Sequence, residues 1–348
     1  MNKIKAAALA AAVSVLLSAC EHSVPQEEDT DEIEPAPPFS ALGEIKEGRK
    51  NVYVIIKNLE STYWQVVVDG AKDAAVDFDC NVYFSGSHSE LDWESQARLV
   101  DEALAADADA VIFAPNDSVQ LADKVEKVYD SDAKIVLVDT AANTDSYDVC
   151  YMTDNLMAGQ KAAAEMLKQL RANGNGNDSS LKVGIQVGSI ASQTINERLA
   201  GFLQHWVRYA PEGWEVISDI KSNDGDIEKG CGLTRDLMND YPDLKGVFGC
   251  NNGSTVALAK VIMDEHRTDI ALVGFDYSDE MEQLIKSDEY AASSLVQRQY
   301  YMSYTGIETA LRLIDGENSD VKFVDTGIVV VNRDNLDYPE VKDILSHN

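Results

Sequence analysis

The chain has 348 residues with 45 % hydrophobic residues, which is enough for two ordinary hydrophobic cores rather than one. It contains 60 acidic and 29 basic residues, and its formal net charge is −31. A surface this acidic repels phosphate backbones, so a nucleic-acid-binding role is excluded.

The first twenty residues have the features of a secretory signal. Lys3 and Lys5 precede an apolar run over 6–17 that is too short to span a bilayer as a helix. The run ends in LSAC at 17–20, which looks like a bacterial lipobox, where cleavage leaves a lipidated cysteine. We therefore expect a signal peptide over 1–20 and a lipoprotein anchored through Cys20 to the cell membrane, facing either the periplasm or the outer surface.

The next segment, 21–49, is acidic and contains four prolines and almost no periodic apolar residues. Such a composition cannot bury enough apolar surface to fold. The sequence predicts an acidic, disordered tether over 21–49.

After the tether, short apolar runs alternate with longer amphipathic ones. Helical spacing of apolar residues alternating with short apolar runs predicts strands that pair in parallel, with helices on both faces of the sheet. The predicted strands are 51–56, 81–84, 110–115, 134–140 and 148–152, and the predicted helices are 63–78, 92–106 and 118–130.

A second series of the same kind follows a polar break at 171–180. Its strands are predicted at 182–188, 214–220, 246–251, 270–276 and 291–296, and its helices at 194–209, 226–240, 253–266 and 278–287. Because the two series echo each other in order and spacing, the predicted fold class is α/β, with two Rossmann-like lobes joined near 153 and again near 297.

Four cysteines follow the tether, and no two of them have C-x-x-C spacing: Cys80, Cys150, Cys231 and Cys250. Metal binding and thioredoxin-like chemistry therefore have no support. An exported chain permits disulfides, but each cysteine lies in or beside an apolar run, where a buried free thiol is equally plausible. Their pairing stays open.

Polar residues follow the strands of both series. Asn116 and Asp117 follow the third strand, Asp139 ends the fourth, and Asn251 and Asp276 end strands of the second series. In an open parallel sheet, ligands bind in the crevice outside the carboxyl ends of the strands. Two lobes that face each other are therefore expected to form a cleft lined from both sides.

Eight segments, in this order and spacing, resemble those of sugar-binding periplasmic binding proteins of the ribose- and galactose-binding kind, which deliver solutes to ABC transporters. The resemblance covers about 50–340. The segments are VVVDGAKDAA (66–75), APNDS (114–118), VDTAA (138–142), TDNLMAGQKAA (153–163), NERLAGF (196–202), GCNNGS (249–254), VGFDYSDE (273–280) and VDTGIVVVNRDNLD (324–337).

The resemblance implies the type 1 fold of this family, in which three crossovers at a hinge join two lobes that close around the ligand. It divides the chain into an N-terminal lobe of 50–152 plus 298–322 and a C-terminal lobe of 153–297 plus 323–340. The helix 300–315 would pack on the N-terminal lobe, and a strand near 323–331 would return to the C-terminal one. Regulators of the lac-repressor type share this core but carry a helix-turn-helix where this chain has a lipid signal and an acidic tether.

Asp276 matches the strand-end aspartate with which the family accepts hydrogen bonds from ligand hydroxyls. The alternative role is an N-cap for the helix that begins near Ser278. Asp139 is the equivalent residue in the N-terminal lobe. The family often has an arginine directly after it, whereas this chain has Thr140, so the resemblance names no particular pentose.

Arg198 falls on the arginine of the segment NERLAGF, from which the resemblance places a guanidinium at the cleft. Such a group binds two ring oxygens through its fixed fork. The alternative is a solvated charge on a helix. Asn251 and Gln297 match the family's amide positions, at a strand end and at the hinge, and an amide both donates and accepts hydrogen bonds.

Tyr63 and Trp64 match two aromatic positions of the family, one of which commonly stacks against the sugar ring. The alternative is that both pack on the lobe at the start of a helix. Weaker ligand-binding candidates are Lys57, Ser61, Asn116, Asp117 and Thr140; one of the pair at 116 and 117 has a helix cap as its alternative role.

An enzyme is not expected. A glycosidase needs one carboxylic acid kept protonated by an apolar site, whereas Asp139 and Asp276 beside arginine and amides are expected to stay ionised. The five histidines have no metal-ligand spacing, and no cofactor is expected. The expected partners are a small sugar or polyol and the membrane permease of an ABC transporter, and the protein is expected to be a monomer. The alternative function is a sensory lipoprotein that reports to a chemoreceptor or histidine kinase.

Overall fold

The computed structural model describes residues 36–347. The predicted signal peptide, Cys20 and residues 21–35 of the predicted tether lie outside this range. Within it, no helix combines the length and apolar character that a membrane span requires.

The N-terminal lobe is built on a seven-stranded sheet in the order β1-β3-β2-β4-β5-β6-β13, in which all neighbours are parallel except β1 and β3. Its strands are nearly continuous apolar runs because helices cover both faces of the sheet. The strands are β1 Ser40–Ala41, β2 Asn51–Ile56, β3 Asn81–Gly86, β4 Ala110–Phe113, β5 Lys134–Val138, β6 Val149–Met152 and β13 Phe323–Asp325; the helices are α1 Thr62–Asp77, α2 Trp93–Ala105, α3 Ala122–Tyr129 and α9 Gln299–Ile314.

The C-terminal lobe has a sheet in the order β14-β12-β11-β10-β7-β8, with β9 paired to β7. The antiparallel neighbours in this sheet are β12 and β14. The strands are β7 Leu181–Val187, β8 Trp214–Val216, β9 Lys221–Ser222, β10 Leu244–Gly249, β11 Ala271–Phe275, β12 Ala292–Gln297 and β14 Ile328–Asn332; the helices are α4 Asn155–Ala172, α5 Gln193–Tyr209, α6 Ile227–Asp240, α7 Asn252–Asp264, α8 Asp279–Lys286 and α10 Pro339–Leu345, with a short 3₁₀ helix at Arg333–Asn335.

Each sheet separates two apolar cores. In β4, Ile112 and Phe113 point to opposite faces, and in β10 Val247 and Phe248 do the same. The predicted α/β fold with two lobes of parallel sheet flanked by helices is confirmed. This arrangement directs the carboxyl ends of β2, β5, β7 and β11 towards the space between the lobes.

The chain before β2 differs from the predicted tether. From Ala36 to Lys50 it lies on the N-terminal lobe: β1 pairs with β3, and the hydroxyl of Ser85 donates to the carbonyl oxygen of Pro37 at 2.6 Å. The ring of Phe39 meets that of Tyr53 edge-on, with centroids 4.8 Å apart. The prediction of disorder up to residue 49 is therefore wrong for 36–49. An aromatic contact, one edge-strand pairing and hydrogen bonds to Ser85 and Asn81 hold a segment whose composition predicts no structure.

The predicted strand 323–331 is two strands in two different sheets. β13 pairs with β6 of the N-terminal lobe, and β14 pairs with β12 of the C-terminal lobe. The chain therefore changes lobes between Asp325 and Ile328, where Gly327 has a φ of 79°. The expected return of 323–325 to the C-terminal lobe is wrong, because an apolar run does not reveal which sheet edge it pairs with.

Helix α4 was not among the predicted helices, and the predicted strand 214–220 is divided into β8 and β9. Helix α9 packs against α1 and β5, as expected for the helix at 300–315. The four cysteines left open by the sequence, at positions 80, 150, 231 and 250, are buried free thiols.

Candidate functional site

A cavity of about 580 Å³ lies between the two lobes, at the carboxyl ends of their strands. The lobes contact each other beside it. The backbone N–H of Ser118 donates to the carbonyl oxygen of Ala191 at 3.3 Å, and the backbone N–H of Gln193 donates to the hydroxyl of Ser118 at 3.2 Å. The two lobes are therefore in contact beside the cleft that contains this cavity.

Asp139 and Asp276 occupy corresponding positions in the two lobes. Each follows the last residue of a strand, β5 or β11, and each has a left-handed backbone, with φ of 64° and 67°. Aspartate tolerates this conformation better than most residues, and residues held in it cluster at functional sites. The side chains of both line the cavity and are 5 % and 4 % exposed.

The carboxylate of Asp139 is surrounded by donors. Its Oδ1 accepts from the hydroxyl of Tyr63 at 2.6 Å, and its Oδ2 accepts from the hydroxyl of Thr140 at 2.7 Å. The same Oδ2 lies 3.1 Å from Nζ of Lys57. Burial opposes ionisation, but the neighbouring ammonium and hydroxyl groups together lower the pKa of Asp139 below its ordinary value. Asp139 is therefore ionised at neutral pH, as expected.

Lys57, at the end of β2, connects the two lobes. Its side chain is buried, and its Nζ donates to the hydroxyl of Thr140 at 2.5 Å and, across the cleft, to the hydroxyl of Ser192 at 3.4 Å. Ser192 immediately precedes α5 of the C-terminal lobe. The sequence assigned Lys57 a minor role, whereas the structure makes it the cation beside Asp139.

Asp276 has weaker compensation than Asp139. Its Oδ1 accepts from Nε2 of Gln297 at 3.0 Å, and within residues 36–347 it has no ion-pair partner. Burial raises the pKa of Asp276 to about 6, although Arg198, Gln297 and the backbone N–H of Asn252 act in the opposite direction. Asp276 therefore holds its proton to a higher pH than the sequence argument expected.

The alternative role of Asp276 as a cap of α8 is not what the structure contains. The side chain of Ser278 accepts from the backbone N–H of Met281 at 3.3 Å and caps that helix. Asp276 is thus left free to face the cavity.

Arg198, on α5, is 3 % exposed, so the alternative of a solvated helix charge is wrong. Its Nε donates to Oδ1 of Asn155 at 2.8 Å, and its two terminal nitrogens donate to the carbonyl oxygen of Cys250 and to Oε1 of Gln297, both at 2.9 Å. Its guanidinium also lies 3.9 Å from the ring centroid of Phe275. Because arginine has five N–H groups, two remain for a ligand.

Gly159 and Gly201 allow the close helix crossing that positions Arg198. A Cβ atom at Gly159 of α4 would overlap with the backbone carbonyl of Arg198, and one at Gly201 of α5 would overlap with that of Leu156. Helices α4 and α5 therefore cross with their backbones in contact, which no larger residue allows. This crossing brings Asn155, at the start of α4, within hydrogen-bonding distance of the guanidinium.

Gln297 and Asn251 both line the cavity. Gln297 ends β12, directly before the chain crosses to the N-terminal lobe, and its Oε1 also accepts from the hydroxyl of Thr153, which lies at the first crossing. Asn251 precedes α7, and its side chain accepts from the backbone N–H of Ser254 at 3.4 Å. The amide of Gln297 thus links the second crossing between the lobes to the first. The amide of Asn251 caps α7 at the edge of the cavity.

Tyr63 and Trp64 line the cavity and also pack in an apolar core of the N-terminal lobe. They lie at the start of α1, their rings meet edge-on with centroids 4.9 Å apart, and both belong to an apolar core of the N-terminal lobe. The two roles that the sequence treated as alternatives coexist. Ser61, which precedes α1, also lines the cavity.

Three of the weaker candidates lie outside the cavity wall. Thr140 is buried behind Lys57. The carboxylate of Asp117 accepts from the backbone N–H groups of Val119 and Gln120 in a turn before α3, which begins only at Ala122, so Asp117 does not cap that helix. Asn116 is 1 % exposed, and its side-chain oxygen and nitrogen have no hydrogen-bond partner in the described part of the chain.

Sequence reasoning missed Asn155, Thr153 and Ser192. The first two follow β6, and a polar pair directly after an apolar strand was a signal for them. Glu90 lines the cavity from the loop between β3 and α2.

Comparisons with known proteins agree with this architecture. A periplasmic binding protein domain is matched over residues 52–318. The D-ribose/D-allose-binding protein of Pseudomonas aeruginosa is 26 % identical over 299 residues, which are 81 % of this chain and 88 % of that protein. The D-allose-binding periplasmic protein of Escherichia coli is 23 % identical over 279 residues, which are 76 % of this chain and 84 % of that protein.

Solved structures are similar over most of both chains. A carbohydrate transporter solute-binding protein from Agrobacterium radiobacter, in complex with D-arabinose, has a TM-score of 0.81 and 27 % identity, and the match covers 86 % of this chain and 99 % of that one. An ABC transporter solute-binding protein from Agrobacterium vitis with bound D-fucose has a TM-score of 0.77 and 26 % identity, over 84 % and 99 % of the two chains.

The predicted resemblance is therefore confirmed. These relatives are binding proteins of sugar transport rather than enzymes, and this chain is likewise not an enzyme. Because the matched domain spans more than half of the sequence, the chain belongs to the periplasmic binding protein family.

Proposed function

We propose that this protein is the extracytoplasmic sugar-binding component of an ABC transporter, and that it binds a monosaccharide or a similar polyol between its lobes. The observation that carries the proposal is the pair Asp139 and Asp276, which project into one cavity from corresponding strand ends of two lobes. The ligands in the names of the relatives, ribose, allose, arabinose and fucose, support a sugar.

The cavity offers the groups that a sugar requires. The hydroxyl hydrogens of a sugar can donate to the carboxylate of Asp276, and its hydroxyl oxygens can accept from the guanidinium of Arg198. The aromatic wall of Tyr63 and Trp64 suits the C–H faces of a sugar ring. Lys57 and Thr140 hold Asp139 in one orientation before the ligand arrives.

We propose hinge closure as the mechanism. The chain passes between the lobes after β6, after β12 and between β13 and β14, and these crossings are the segments about which the lobes turn. A ligand that contacts both lobes favours the closed form, and a permease recognises that form. The sensory alternative gains no support from the relatives, which are named for binding or transport.

We further propose that the mature protein is a monomer anchored to the membrane through a lipid on Cys20. The lipobox-like segment at 17–20 supports the lipid anchor. Two or more acyl chains on that cysteine give a stable anchor.

A thermal-shift screen against pentoses, hexoses, polyols and disaccharides tests the proposed ligand class. A sugar at a hundred times its dissociation constant adds about 2.7 kcal/mol to the free energy of unfolding. For a chain of this size that is a rise in melting temperature of roughly 4 °C. The sugar assignment is wrong if no saccharide or polyol raises the melting temperature.

A further inference from the structure

The cavity between the lobes carries more negative than positive charge. Eight carboxylate side chains and three cationic ones line it. One of the cations, Lys260, lies at the exposed edge, 3.9 Å from Glu280. The buried charges are those of the cations Lys57 and Arg198 and of the carboxylates Asp139 and Asp276. Glu90 also lines the cavity and is half-buried.

The deep cations leave two carboxylates without an ion pair. The ammonium of Lys57 pairs with Asp139. The guanidinium of Arg198 is hydrogen-bonded to neutral acceptors, and across residues 36–347 neither Glu90 nor Asp276 lies within ion-pair distance of a cationic side chain.

Of these two carboxylates, Glu90 has fewer hydrogen-bond partners than Asp276. Its loop approaches the C-terminal lobe so closely that a Cβ atom at Gly225 would lie 3.5 Å from the Cβ and Cγ of Glu90. In the described part of the chain its carboxylate has neither a hydrogen bond nor an ion pair, whereas Asp276 has Gln297 and the backbone of Asn252. Burial raises the pKa of Glu90, and the charges of Lys57 and Arg198 offset part of this rise.

A neutral sugar would leave the excess of negative charge in the cavity unchanged. Hydroxyl groups satisfy the oxygens of a carboxylate but do not cancel its charge, and an unpaired charge taken out of water is unfavourable. A metal ion is not expected to balance this negative charge, because among residues 36–347 no group of three or more Asp, Glu, His or Cys side chains is arranged to hold one. An organic cation needs only one such carboxylate.

We propose that the ligand is a sugar or polyol that carries a protonated amine, and that Glu90 binds this amine while Asp276 accepts from a ligand hydroxyl. The inference rests on the proposed sugar-binding function and specifies the chemical class of its ligand. It makes Glu90 a specificity-determining residue.

Isothermal titration at pH 7 with D-glucosamine and D-galactosamine, with D-glucose and D-galactose, and with N-acetyl-D-glucosamine tests the proposal. Each amino sugar should bind about tenfold more tightly than its neutral counterpart, since a charged hydrogen bond replaces a neutral one. N-acetylation removes the charge, so the N-acetyl sugar should lose this advantage. Glu90→Gln should abolish the preference for the amine, so that within this variant each amino sugar and its neutral counterpart bind with equal affinity.

Glu94→Gln is the matched control, because Glu94 lies on the same segment, in the first turn of α2, but is exposed and outside the cavity wall. It should keep the preference for amines. Equal or tighter binding of the neutral sugars overturns the inference while the sugar-binding function stands. An amine preference that survives Glu90→Gln, in a variant with the wild-type melting temperature, overturns the assignment to Glu90. The absence of binding by these sugars and by every saccharide and polyol of the thermal-shift screen overturns the proposed function itself.

Discussion

Asp276→Asn should make the unliganded protein more stable at neutral pH and weaken its binding of sugar. Asparagine has the same shape, tolerates the left-handed backbone and can still accept from Gln297, but it carries no charge. The pKa of Asp276 rises from 3.8 to about 6 on folding because burial is not offset by an ion pair. A pKa difference of about two is equivalent to about 3 kcal/mol, which is the destabilisation that the ionised carboxylate causes in the folded state.

The sign of the pH dependence follows from the raised pKa. The folded state binds the proton more tightly than the unfolded state, so the destabilisation by Asp276 is complete above about pH 6 and disappears as the pH falls towards 4. The advantage of the Asn variant in unfolding free energy should therefore be up to about 3 kcal/mol at pH 7.5 and near zero at pH 4. Effects of other acids, such as Asp139, are common to both proteins and cancel in the difference.

Urea denaturation of the unliganded wild type and Asn variant at several pH values between 4 and 7.5 measures this difference, and titration calorimetry measures the affinity. Replacement of a charged acceptor by a neutral one should weaken sugar binding by roughly tenfold to a hundredfold. A variant that is less stable than the wild type at pH 7.5, or a stability difference that does not change with pH, would refute the reasoning.

Three further variants test the parts around this carboxylate. Lys57→Met should lower the unfolding free energy by about 3 kcal/mol, because it leaves a buried carboxylate unpaired, whereas Lys50→Met breaks an exposed pair and should lower it by less than about 1 kcal/mol. Equal losses in urea denaturation would contradict the burial argument. Gly159→Ala should weaken both stability and sugar binding by forcing two helices apart, while Gly232→Ala, with open space around it, should stabilise its helix by up to about 1 kcal/mol. If both glycine variants bind sugar as the wild type does, the close crossing does not position the guanidinium. Cys20→Ala should move the protein from the membrane fraction to the soluble one with its affinity for sugar unchanged, and retention in the membrane fraction would exclude a lipid anchor at that residue.

Much of the fold was predictable because the signals are local. The apolar run at 51–56 and its counterparts in the second series, apart from 214–220, are strands in the structure with almost the predicted bounds. The period of apolar residues reflects burial on one helix face or in a sheet, and each element carries that period within its own residues. The strand-end positions of Asp139 and Asp276 were visible for the same reason.

The partners of the site residues were not predictable, because they come from distant parts of the chain. Lys57 and Ser192 are 135 residues apart in sequence, and the guanidinium of Arg198 collects acceptors from α4, β10 and β12. Sequence alone also treated the aromatic residues at 63 and 64 as either wall or core, although the start of a helix beside a cleft allows both.

The sequence by itself determined that this protein has two α/β lobes and that carboxylates end strands in both of them. These features depend on the spacing of apolar residues within each element and on the order of the elements along the chain. Only the tertiary structure decided which sheet each half of 323–332 joins, that residues 36–49 lie on the N-terminal lobe, and that Asp139 has a cation beside it while Asp276 and Glu90 do not. The physical reason is that pairing, burial and the pKa of a carboxylate depend on neighbours that folding brings together.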